Sequence, residues 1–154
     1  MKKSTSLYIF DHSDHTYISA KDIQPDKIVC IDLFNTEIGI FFSVEGADLY
    51  MHVVHGWEDD YFKKTFDVNT QALAFNAEKD GCTEHIGVIF PYVPDGGLLA
   101  HECMHLVDYV CEVIGIPMTP DTGEPRGYML QYLFDEITDA IEEWTQENPE
   151  WPKS

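Results

Sequence analysis

The apolar pattern of this chain changes its period once, across the loop Pro91 to Gly97, and that change restricts the fold more than any other feature. Before the loop the apolar segments are short, rich in aromatic and β-branched residues, and separated by turn residues, which is how strands read. Leu7 to Phe10, Lys27 to Leu33, Ile38 to Val44, Leu49 to Val54 and His85 to Phe90 have this character, with Glu45-Gly46-Ala47-Asp48 as a turn between two of them. The short breaks predict a mostly antiparallel sheet. Val68 to Glu78 fits either period and is read as helical.

After the loop the period becomes helical. Leu98, Val107, Val110 and Ile114 share one side, with Asp95 as N-cap and Gly115 as the stop. A second helix opens near Pro125 and carries Leu130, Leu133, Phe134, Ile137, Ile141 and Trp144 on one face. Its other face holds Asp135, Glu136, Asp139, Glu142, Glu143 and Glu147, most simply a solvated surface. No repeat, low-complexity tract or Gly/Ser linker divides the chain, so the expectation is one α+β domain over 1–154, an N-terminal sheet packed on two C-terminal helices.

Composition narrows the partners. With 154 residues, 44% of them hydrophobic, the chain has enough apolar material for a core. Its 9 basic and 28 acidic side chains give a formal charge of −19. A single arginine, Arg126, and scattered lysines cannot neutralise a phosphate backbone, so direct nucleic-acid binding is disfavoured. The apolar run after Lys2-Lys3 is too short for a signal-peptide core or a membrane span, which predicts a soluble, cytoplasmic protein. Cys30, Cys82, Cys103 and Cys111 include no CxxC pair and read as reduced thiols.

Within the first predicted helix the chain reads His101-Glu102-Cys103-Met104-His105, the HExxH pattern. Four residues is just over one helical turn, so both imidazoles project from one face and suit a single zinc ion, with Glu102 about 100° round. A carboxylate there can take a proton from water and pass it to a leaving amine. Random placement of these residue types yields the pattern roughly 0.03 times in such a chain. The plain alternative is two ordinary surface histidines on a helix.

Two histidines hold zinc weakly, which raises the question of a third ligand. The extended HExxHxxGxxH form fails, because Asp108 and Cys111 stand where it needs glycine and histidine. Cys111 is better explained as a small core residue. Asp108 shares the histidine face one turn on and suits a hydrogen bond to an imidazole, or a partly solvated acid. Glu124 is the preferred ligand: it opens the second helix after a loop long enough to lay that helix antiparallel to the first. The plain alternative for Glu124 is an acid favoured by the helix dipole.

On these residues the chain resembles the zincin metallopeptidases, specifically those of gluzincin type with a glutamate ligand on a downstream helix. It is most similar to small single-domain metallopeptidases encoded by bacteriophages and prophages, through His101-Glu102-Cys103-Met104-His105, Gly115-Ile116, Glu124-Pro125-Arg126-Gly127-Tyr128 and Tyr132-Leu133. The match covers roughly Ile86 to Ile137. The resemblance implies a zincin-like α+β fold, Zn2+ held by His101, His105 and Glu124, and Glu102 as general base. It also implies that His85 to Phe90 is a sheet-edge strand along which an extended peptide pairs. Of the donors near enough to steady an oxyanion, Tyr128, Tyr132 and Arg126, Tyr128 is taken.

Two other histidine clusters are left unassigned. Asp11-His12-Ser13-Asp14-His15 reads as a polar turn, and His52 and His55, on a predicted strand, would face opposite sides of the sheet. No GxSxG, Walker or GxGxxG sequence occurs. The leading expectation is therefore a zinc-dependent peptidase acting on a peptide or protein, basic or neutral given the charge. The alternative is a non-catalytic acidic interaction protein, such as a DNA-mimicking inhibitor, with structural zinc or none.

Overall fold

A computed structural model describes residues 8–10 and 17–19 as backbone and residues 23–152 in full. The polar turn Asp11 to His15 lies outside the described residues. Strands β1 (Tyr8–Phe10) and β2 (Tyr17–Ser19) form an antiparallel pair. Strands β3 (Lys27–Ile31), β4 (Thr36–Phe41), β5 (Leu73–Lys79) and β6 (Cys82–Ile89) form the main sheet in the order β3-β4-β6-β5. The β3/β4 and β5/β6 ladders are antiparallel, and β4 runs parallel to β6. No helix among the described residues is long and apolar enough to cross a membrane.

The sheet is mixed because a helical crossover, where the sequence suggested another strand, leads from β4 to β5, and β6 then returns between them, parallel to β4. Helix α1 (Val44–His55) and the short α2 (Tyr61–Thr65) occupy that connection. The segment Leu49 to Val54, expected as a strand, is thus the body of α1, and Glu45-Gly46-Ala47-Asp48 is its first turn. Capping decides this. The Ser43 side chain accepts a hydrogen bond from Gly46 N at 3.0 Å, and Gly56 closes the helix in the left-handed region at φ 75°, its N–H bonding His52 O. Ala47 and Met51, one turn apart, then face the sheet. Asp48 is buried and accepts from Phe62 N at 2.7 Å and Lys63 N at 3.0 Å, fixing α2 against α1.

The second correction is Val68 to Glu78. Its second half, from Leu73, belongs to β5, because Asp80 and Gly81 both adopt positive φ, 53° and 76°, and turn the chain tightly into β6. A two-residue turn of this kind matches the twist of paired strands, so the Asp-Gly dipeptide specifies a hairpin. It also lengthens the last strand, which begins at Cys82 rather than His85.

Both faces of the sheet are covered. On one face Ile38, Ile40, Ile86 and Val88 pack on helices α3 (Gly96–Ile114) and α4 (Gly123–Glu147) through Cys103, Leu106, Val107, Val110, Leu133 and Ile137. On the other, Phe41, Phe75, Ala77 and Ile89 pack on Ala47, Met51 and Phe62. Strand alternation assigns each side chain to its face, and the α3/α4 face matches the two-helix packing expected from the sequence. Asp95 caps α3, accepting from Leu98 N at 2.8 Å, and Gly115 at φ 74° ends it.

Candidate functional site

Helix α3 turns its inner side to the core and leaves His101, Met104 and His105 exposed. The imidazoles lie with Nε2 atoms 3.1 Å apart and ring centroids 4.7 Å apart. That separation is a hydrogen-bond distance between the two rings; two nitrogens on one tetrahedral ion at about 2.0–2.1 Å would stand roughly 3.3 Å apart, so a small adjustment of the rings would let both face one ion. His105 also stacks over Tyr109 at 6.5 Å, which supports its ring from the following turn.

Glu102 lines a cleft with His101 and is tied back to the sheet. It is 5% exposed, and its Oε2 accepts a hydrogen bond from Ala74 N at 2.6 Å. A carboxylate is kept this far from water only with such a partner. The N–H of Ala74 is directed out of the sheet, so β5 presents its free edge to α3 at this position. Glu102, His101, Leu98 and Asp95 line a cleft of about 520 Å³ with Asn69, Thr70 and Ala72 of the segment leading into β5. Asp67 shapes that segment by accepting from Asn69 N at 2.8 Å and Thr70 N at 3.1 Å, which holds its carboxyl below the usual range.

The edge strand beside α3 is therefore β5. His85 to Phe90, expected at the sheet edge, lies inside the sheet between β4 and β5, because the α1–α2 crossover places β4 against its other side.

The other predicted residues are distributed over neighbouring surfaces. Glu124 stands exposed in the first turn of α4. Two residues on, Arg126 reaches back to Asp108 of α3 at 3.4 Å, so that ion pair docks the start of α4 one turn beyond His105. Among the described residues no three His, Cys, Asp or Glu side chains gather as a metal-binding group, so Glu124 is not brought to the two imidazoles. Asp108 takes Arg126 as its partner. Tyr128 is 69% exposed and lines a separate apolar cleft with Leu33, Ile116, Pro125 and Met129. The Tyr132 hydroxyl donates to Cys30 O at 2.7 Å. Cys103 and Cys111 are buried in the core under α3, and burial pushes the Cys103 thiol up to about 12.

The sequence reading missed Ala74. Its role as backbone partner of Glu102 depends on β5 being a strand, and the signal for that was the Asp80-Gly81 turn. Comparison with protein-family models, curated proteins and solved structures gave no match.

Proposed function

We propose that this chain is a zincin-like, zinc-dependent peptidase in which His101 and His105 hold the metal and Glu102 is the general base. The observation that carries the reading is the 3.1 Å approach of the two Nε2 atoms on the exposed face of α3. Zinc bound there supplies a Lewis acid that polarises a peptide carbonyl and acidifies water. Glu102 accepts a proton from water at its carboxylate, steadied through Oε2 by Ala74 N, and returns it to the departing amine nitrogen. An extended substrate lies along the outer edge of β5 beyond Ala74, whose N–H is already taken by Glu102. The formal charge of −19 favours basic or neutral peptides. Glu124 is proposed as the third donor on condition that the first turn of α4, where it stands exposed and apart from the two imidazoles, swings towards α3 when the metal binds.

The test combines metal content with turnover. Protein purified without added metal contains stoichiometric zinc, and Glu124→Ala lowers it at least as much as the roughly 10–100-fold affinity loss typical of supporting residues. Glu102→Gln keeps the zinc and lowers cleavage of a peptide library by about 10²–10⁴-fold. Absence of zinc after reconstitution, or full activity in Glu102→Gln, sinks the proposal.

A second reading is supported by the exposed acidic row of α4, in which Lys27 neutralises Glu143 at 2.8 Å and Glu147 at 3.5 Å while Asp135, Glu136, Asp139 and Glu142 face solvent. It treats the chain as an acidic partner of a basic protein. That reading predicts binding that weakens steeply with salt and is indifferent to Glu102→Gln.

A further inference from the structure

The end of β3 and the start of α4 leave uncovered an apolar cleft that includes neither α3 imidazole. One wall is the single turn of 3-10 helix after β3, Asp32–Phe34, which carries Leu33 and Phe34. The other is Pro125, Tyr128 and Tyr132, spaced i, i+3 and i+7 along one stripe of α4, and Ile116 lines the space with them. The cleft holds about 480 Å³, within the roughly 300–1,000 Å³ of clefts that bind ligands. Leu33 is 86% exposed, and Phe34, Tyr128 and Tyr132 are exposed beside it. Single exposed apolar residues are ordinary, but a contiguous set around a concavity marks a contact surface.

The chain's own bonds hold the cleft in shape. The Tyr132 hydroxyl donates to Cys30 O at 2.7 Å, which fixes that ring against β3. Asn35 closes the turn in the left-handed region at φ 48°, its N–H bonding Asp32 O at 3.2 Å, and the Thr36 hydroxyl donates to Phe34 O at 3.1 Å. A tight turn thus keeps Leu33 out in water instead of folding it onto the core. A partner that meets it has little left to order.

We propose that this cleft docks a basic segment of another protein, with an apolar side chain seated between Leu33 and Tyr128 and a lysine or arginine on the rim. Charge selects that partner. Asp32 lines the cleft, Glu136 stands exposed one turn beyond Tyr132, and no lysine or arginine of the described residues lines it. Burial, then the charges of Glu136 and Asp32, push the Tyr132 hydroxyl above its ordinary value, so both carboxylates act on the cleft. The cations nearest along the chain are already held, Lys27 by Glu143 at 2.8 Å and Arg126 by Asp108 at 3.4 Å. A second copy of this chain, also at −19, would bring the same acidic rim against this one, which like charge opposes. The apolar anchor supplies affinity and the rim supplies selectivity, so this surface asks for more than the acidic row of α4 alone.

The experiment uses the full-length protein and fluorescent peptides, read by anisotropy at low and physiological salt. One set joins leucine or phenylalanine to lysine, a second replaces the lysines with glutamate, and a third keeps the lysines and replaces the apolar residues with serine. The first set is expected to bind saturably and at least about tenfold tighter than either of the others. Leu33→Ser, at a position too exposed to matter for folding, weakens that binding roughly tenfold or more. Asp32→Asn weakens it less and flattens its salt dependence. Leu49→Ser, exposed on α1 and outside the cleft, leaves it unchanged. Binding that survives Leu33→Ser belongs to the acidic surface at large and overturns the proposal, as does equal binding of the glutamate set or no saturable binding of the first. Sedimentation of the protein alone is expected to show a monomer. A dimer dispersed by Leu33→Ser assigns the cleft to a second copy and overturns the proposal too.

Discussion

His101 and His105 face solvent from successive turns of one helix, whereas His55 and His85 come from a helix and a strand and meet under α1 with their Nε2 atoms shielded from water. The first pair is brought together by helix geometry alone. Any helix with histidines four residues apart presents them so, and neither ring has to be desolvated. The second pair exists only because the sheet, the α1 cap and the glycine at position 39 are all in place. One pair is thus uncoupled from the core and the other is built into it, and substitutions should affect them differently.

The largest difference is expected at Phe75, which packs against both His85 and Phe62. Phe75→Ala removes a buried ring and costs about 3–5 kcal/mol, read as a lowered urea midpoint. Amide exchange in β6 around His85 should quicken in parallel, while that of α3 around His101 stays as it was. Equal change at both would show that the two are not separable.

Glu102 is the point at which the exposed pair touches the interior. Glu102→Ala leaves the buried Ala74 N–H without an acceptor and is expected to cost about 1–3 kcal/mol. Glu102→Gln keeps an acceptor oxygen and should restore most of that stability. The pair of denaturation curves separates the carboxylate's structural role from its proposed chemical one. By contrast, His101→Ala in metal-free protein should change stability by no more than about 0.5 kcal/mol, since the ring is exposed.

The smallest effect is assigned to Asp67, which shapes the cleft wall beside the α3 pair. Its carboxyl is held below its ordinary value by hydrogen bonds from Asn69 and Thr70. The folded state therefore gains from the charged form above the unfolded value near 3.8 and loses that gain as the pH falls through the lower folded value. Amide exchange in residues 67–72 should quicken in Asp67→Ala at neutral pH, and in the native chain only in acid. The His55/His85 cleft should be unaffected.

These differences track what was readable in advance. The α3 helix, its Asp95 cap, its Gly115 stop and the second helix after it were legible because caps and apolar periodicity are local signals. The α1 segment was misread as a strand because Tyr50, Met51, Val53 and Val54 have strand-like composition, and composition gave way to the Ser43 and Gly56 caps. That one misreading concealed the mixed sheet, the interior position of β6 and the contact between His55 and His85. Once α1 is a helix and β6 is parallel to β4, His55 and His85 are neighbours.

By itself the sequence determined the α+β class, the helix pair after Gly97 and the convergence of His101 with His105, because each depends on residues within a few turns of one another. Only the tertiary structure decided that β5 is the edge facing α3, that Glu102 is anchored to Ala74 and that Arg126 docks on Asp108. It also decided that two histidines thirty residues apart share one cleft. The physical reason is the same in each case. Helical repeat is fixed by backbone hydrogen bonds between near neighbours, whereas strand order and burial are settled by which distant apolar faces meet.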